Sequence, residues 1–100
     1  MSGADGTWVV ELEFLRGTAT HSMVLEQQGE RLTGRYRSRY GEQDLEGWIR
    51  GDRVEMRVGI YWQGVGAAYR FEGTCAEDRM EGRVDLGEYW SAAWRARRLP

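Results

Sequence analysis

Three scarcities frame this chain of 100 residues: one cysteine, one histidine and one proline. The lone Cys75 excludes an internal disulfide and suits a reducing compartment, so a cytoplasmic location is expected. One Cys and one His cannot assemble a structural zinc site of the usual kind, and neither a metal nor any other cofactor is expected. No apolar run approaches the ~20 residues that a membrane-spanning helix needs. The start, Met1-Ser2-Gly3-Ala4-Asp5-Gly6, lacks the basic and apolar regions of a signal peptide, and no membrane partner is expected. Charge of one sign is also missing. Fourteen basic residues face 16 acidic ones, for a net charge of -2, without the basic excess of a nucleic-acid footprint. No glycine-rich loop opens a helix to cradle a phosphate, and no inward carboxylate pair suggests glycoside hydrolysis.

What the chain has is glycine and aromatics. Fourteen Gly accompany five Trp and five Tyr, with proline only at Pro100. That mixture describes a β protein with many tight turns, because a disordered chain would lack the aromatics.

One phrase occurs twice. Leu45-Glu46-Gly47 leads through Gly51-Asp52-Arg53 into Val54-Glu55-Met56-Arg57-Val58, and Phe71-Glu72-Gly73 leads through Glu77-Asp78-Arg79 into Met80-Glu81-Gly82-Arg83-Val84. Strict alternation places successive side chains on opposite faces of a strand. A two-residue Gly-Asp connection supplies the positive φ of a tight hairpin turn. Each copy is therefore a hairpin with one wet and one buried face.

The same alternation extends over the whole chain. Residues 1–6 read as a flexible leader, followed by a single domain over 7–100. Eight strands are expected: Thr7–Arg16, Thr20–Gln28, Arg31–Tyr40, Gln43–Arg50, Arg53–Trp62, Ala67–Thr74, Arg79–Leu86 and Tyr89–Arg98. Two features favour an all-β, eight-stranded antiparallel up-and-down closed barrel over an open sheet or sandwich. Gly34, Gly47, Gly73 and Gly82 fall on the inward parity, where a missing Cβ lets a sheet bend sharply. Glu11 and Glu13 on the first strand also complement Arg95 and Arg97 on the last, and joining those strands removes both edges. Counting from the turns places Glu72 opposite Arg83, Arg70 opposite Asp85 and Glu46 opposite Arg57. Arg35, Arg37 and Arg39 read as members of the same charged outer face, worth only ~0.2–1 kcal/mol per exposed pair.

Several of these residues carry a resemblance. Gly6-x-Trp8, Leu25 and Gln27 before Gly29, Leu32-Thr33-Gly34, Leu45-Glu46-Gly47, Gly51-Asp52, Gly73, Met80-Glu81-Gly82 and Trp94-x-Ala96-x-Arg98 together resemble a family of small bacterial glycine-rich β-barrel domains. Those domains stand alone or are appended to amidohydrolase-type enzymes, and they are similar in plan to calycin barrels. The matching positions are turns, glycines and core. The resemblance implies a calycin-like barrel that holds a small apolar molecule, and it supplies no catalytic residue.

A site is expected at the barrel end away from the turns at 29–30, 51–52 and 77–78. Connections there read as longer (Gly17–Ala19, Gly41-Glu42, Gln63–Gly66 and Gly87-Glu88), and looser ends of rigid scaffolds carry function. Its inward residues are Phe14, His21, Ser38, Tyr40, Trp62, Ala67, Leu86 and Trp90, with Tyr36 and Tyr69 one layer deeper. An apolar cup with hydroxyls and an imidazole is the make-up of a small-molecule site. An eight-stranded barrel is equally able to be filled by its own side chains. The leading expectation is a non-enzymatic barrel that binds a small hydrophobic or aromatic molecule. Cyclase or isomerase chemistry is the alternative, with His21, Tyr40 and Tyr36 as candidate catalytic groups polarising or deprotonating an apolar substrate. A structural or interaction module is the third reading. It is motivated by Trp48, whose outward parity suits an interface such as that of a homodimer.

Overall fold

Alternating side chains become two-faced strands in the computed structural model, whose backbone is described at residues 3–15, 17–39, 41–62, 65–86 and 91–100, with side chains 60–67 excepted. The strands are β1 (Gly6–Phe14), β2 (Gly17–Gln28), β3 (Arg31–Ser38), β4 (Gly41–Arg50), β5 (Arg53–Trp62), β6 (Val65–Ala76), β7 (Arg79–Asp85) and β8 (Ser91–Arg98). Each pairs antiparallel with its neighbours in sequence, and β8 returns to β1 to close a barrel. The closing ladder runs from Trp8 opposite Arg98 to Glu13 opposite Ala93, with Glu11 facing Arg95. Among the described residues, no helix is long and apolar enough to cross a membrane.

Parity and register match the sequence pattern. Trp8, Val10 and Leu12 of β1, Met23 and Leu25 of β2, and Met56 and Val58 of β5 are all buried. Glu72 faces Arg83 and Arg70 faces Asp85, while Glu46 faces Arg57. On the outer wall Arg35 pairs with Glu42 and Asp44, and Arg37 with Glu42. Trp48 is only half-exposed, because the Arg50 guanidinium lies 4.7 Å from its ring centroid and covers it. That contact accounts for an outward tryptophan from within the chain.

The inward glycines do more than permit a bend. A Cβ at Gly73 would overlap the Glu81 carbonyl oxygen, and one at Gly82 the Glu72 carbonyl oxygen. These two glycines face each other across β6 and β7, and Gly82 in turn faces Trp94. The Trp94 indole N–H reaches the sheet itself, donating to the carbonyls of Glu72 and Arg83 at 3.1 Å each. A bulky aromatic thus takes up the room that the missing side chains leave.

Two expectations are corrected. Pairing continues to the tips of the hairpins at the end opposite the tight turns. Phe14 pairs with Gly17, Ser38 with Gly41 and Trp62 with Val65, leaving two residues between strands in each case. Gly17–Ala19 belongs to β2 and Gly41-Glu42 to β4. A ladder needs only extended backbone, and polar residues extend it as well as apolar ones, so three of the four connections at this end are as short as the tight turns. β7 and β8 are separated by residues 86–90, and the expected Gly87-Glu88 loop lies outside the described residues. The second correction concerns the leader. Ala4 is fully buried. Its amide donates to Gln27 Oε1 at 2.7 Å, and its carbonyl accepts from the Trp8 indole at 2.9 Å. Residues 3–5 are held because the buried Trp8 indole needs an acceptor and the partly exposed Gln27 bonds both Ala4 and Asp5.

One hydrogen-bond scheme organises that closed end. The amides of Ile49, Cys75 and Arg98 donate to the carbonyls of Glu30, Asp52 and Asp78, the second residues of the three tight turns. For Gln27 of β2 no preceding turn exists, and its amide donates to the Asp5 carboxylate at 2.8 Å instead. Asp5 therefore completes a fourfold pattern that the other turns make with backbone. Arg98 then locks the end. Its guanidinium, 17% exposed, donates to the carbonyls of Gly3, Asp5 and Glu77 and to Asp78. It also lies 4.7 Å from the Trp8 ring centroid.

Candidate functional site

The opposite end has no such cap among the described residues. Inward side chains there stay partly accessible: Phe14 at the end of β1, Ala19 and His21 on β2, Ser38 on β3 and Tyr69 on β6. Beneath them lies an aromatic floor. Tyr36 and Phe71 are buried with ring centroids 5.5 Å apart. Phe71 meets Trp94 edge-on at 5.3 Å and Tyr69 at a tilt at 6.4 Å. Offset and edge-on packing of this kind is worth about 0.5–1.5 kcal/mol per pair beyond area burial. Trp8, Leu12, Met23 and Trp94 fill the rest of the interior around this floor.

The polar heart of the site is His21 with Tyr36. Met23 on β2 pairs with Tyr36 on β3, so His21 sits diagonally one step nearer the mouth. His21 Nδ1 and the Tyr36 hydroxyl are 2.5 Å apart, with the rings edge-to-face at 5.3 Å. Both groups are neutral near pH 7. Burial disfavours the imidazolium and pulls the His21 pKa below its ordinary value. Burial first, and the nearness of Tyr69 second, pushes the Tyr36 phenol far above its ordinary value. The pair therefore carries no net charge near neutral pH, with the imidazole in its free-base form.

Phe14, His21, Tyr36, Ser38 and Tyr69 therefore share one end of the barrel, as expected from parity. Tyr40, Trp90 and the side chain of Trp62 lie outside the described residues. Gln43 was missed by the sequence reading. It faces Tyr36 across β3 and β4 and is half-buried, and its signal was the inward parity it shares with Leu45 and Gly47. Cys75, at the closed end, packs against the core, and its thiol is pushed up mainly by burial, which suits a packing role over a nucleophilic one. No group of three or more His, Cys, Asp or Glu is placed to hold a metal ion among the described residues.

Two open grooves lie on the outer wall. One of about 610 Å³ runs over Gly73 and Gly82, between Glu72, Glu81, Arg83 and Arg95. The other, about 500 Å³, runs past Gly47 and Trp48 between Glu46, Glu55, Arg50 and Arg57. Both follow the glycine bends and carry mixed, self-compensating charge. Neither gathers a set of groups aimed at one point.

Compared with known proteins, the chain matches no protein-family model and no curated sequence.

Proposed function

We propose that this barrel binds a small hydrophobic or aromatic molecule at the end lined by Phe14, His21 and Tyr69. The observation that supports this reading most is the contrast in accessibility. Inward aromatic and polar side chains remain half-open above a fully buried Tyr36–Phe71 floor. Burial of a planar apolar ligand on that floor would contribute roughly 25 cal/mol per Å² of apolar surface covered. Tyr69, Gln43 and His21 would orient its polar atoms. The plan is the one implied by the resemblance to glycine-rich, calycin-like barrels, and the ligand-holding role follows that same plan. Equilibrium dialysis against a panel of small aromatic compounds tests the reading. Saturable binding that is abolished by Phe14→Glu, with the fold retained by circular dichroism, is the expected result. Absence of saturable binding across the panel would sink it.

A further inference from the structure

We propose that Tyr36 fixes His21 as a one-way hydrogen-bond donor through Nε2–H, so that the site takes apolar molecules bearing an accepting carbonyl oxygen. The inference rests on the ligand-binding reading and names the chemical class that reading leaves open.

Proton accounting at the pair carries it. The Tyr36 side chain is fully buried, and its hydroxyl proton must find an acceptor. The partner it meets among the described residues is His21 Nδ1, at 2.5 Å. Were Nδ1 to carry the imidazole proton and donate to the phenol oxygen, the phenol proton would be left without an acceptor. A fully buried phenol needs an acceptor for its proton, and Nδ1 is the atom bonded to it that can serve, so Tyr36 donates and Nδ1 accepts. A neutral imidazole holds one N–H, which the accepted bond places on Nε2. Imidazolium would restore the Nδ1–H and again strand the phenol proton, and burial opposes it as well.

The consequence is directional. Nε2 has no other partner among the described residues, and His21 is the partly accessible member of the pair. A ligand therefore meets a donor. A donor held in place by a buried neighbour polarises a carbonyl and cannot take a proton from a hydroxyl without breaking the bond to Tyr36. Tyr36 is a positioning residue in this arrangement, and general-base chemistry at His21 is disfavoured.

His21 is the chain's one histidine, so long-range proton–nitrogen NMR on histidine-labelled protein reports its tautomer without assignment. The expected spectrum shows the Nε2–H form alone, and Tyr36→Phe should convert it to a tautomer mixture. Binding is then compared for acetophenone and α-methylstyrene, which differ in carbonyl oxygen against methylene. Acetophenone should bind about tenfold more tightly, with the preference narrowing in Tyr36→Phe. Equal affinity for the two probes, or an Nδ1–H tautomer, overturns this inference and leaves the binding reading standing. Binding of neither probe overturns both.

Discussion

At the end formed by the turns at 29–30, 51–52 and 77–78, Ala4 is fully buried and one guanidinium ties residues 3–5 to the last turn. At the other end, Phe14, His21 and Tyr69 point inward and stay partly accessible. The same strands run through both ends, and the β2–β3, β4–β5 and β6–β7 hairpins turn as tightly as β1–β2 and β3–β4 do. What differs is the finishing. The closed end satisfies its inward polar groups with the chain's own backbone, through Gln27, Asp5 and Arg98. The other end leaves an imidazole nitrogen facing no described partner.

The sharpest way to break the closed half is at its bends. Gly82→Ala drives a Cβ into the Glu72 carbonyl oxygen, and Gly73 on the facing strand cannot yield without moving that strand. Overpacking against backbone should cost about 3 kcal/mol or more, read as a lower urea midpoint. A loss below about 1 kcal/mol would mean that the bend is softer than its geometry implies.

Next in size is the cap. Arg98→Ala removes four donated hydrogen bonds and the stacking on Trp8. A loss of about 2–3 kcal/mol is expected, together with faster amide exchange at Ala4 while the Tyr36–Phe71 floor stays protected. Lysine should not rescue it, since a point charge cannot serve several acceptors around one plane. Equal loosening of both ends would erase the distinction between them.

The smallest effect probes the open half. The lowered His21 pKa means that the unfolded chain binds more protons between 6.5 and the folded value. Stability should therefore be fully present above pH 6.5 and fall as pH drops below it. His21→Gln should flatten that part of the profile while leaving the carboxylate titrations at lower pH. Tyr36→Phe should cost about 1 kcal/mol at neutral pH. A profile that is unchanged in His21→Gln would contradict a buried neutral imidazole.

These contrasts were unevenly legible in the sequence. Strands, parity and cross-strand pairs follow from local alternation and from counting away from Gly51-Asp52 and Glu77-Asp78, because hairpin register is a short-range property. The cap was hidden. Arg98 shares the inward parity of Trp94 and Ala96, yet its bond to Gly3 spans nearly the whole chain, and nothing local marks residues 3–5 as its partners. The site was half legible. Parity gathered Phe14, His21, Tyr36, Ser38 and Tyr69, but the His21–Tyr36 bond is diagonal, between residues that do not face each other in the ladder. Gln43 was passed over because it is polar and opens its expected strand, so its inward place rests only on the parity it shares with Leu45 and Gly47.

The most direct test of the two-ended molecule is amide chemical-shift mapping during a titration with acetophenone. Saturating shifts at Phe14, His21 and Tyr69, with Ala4, Gln27 and Arg98 unmoved, are expected if the unsealed end is the binding end. Shifts centred on the closed end, or spread along the outer wall beside Trp48, would contradict it.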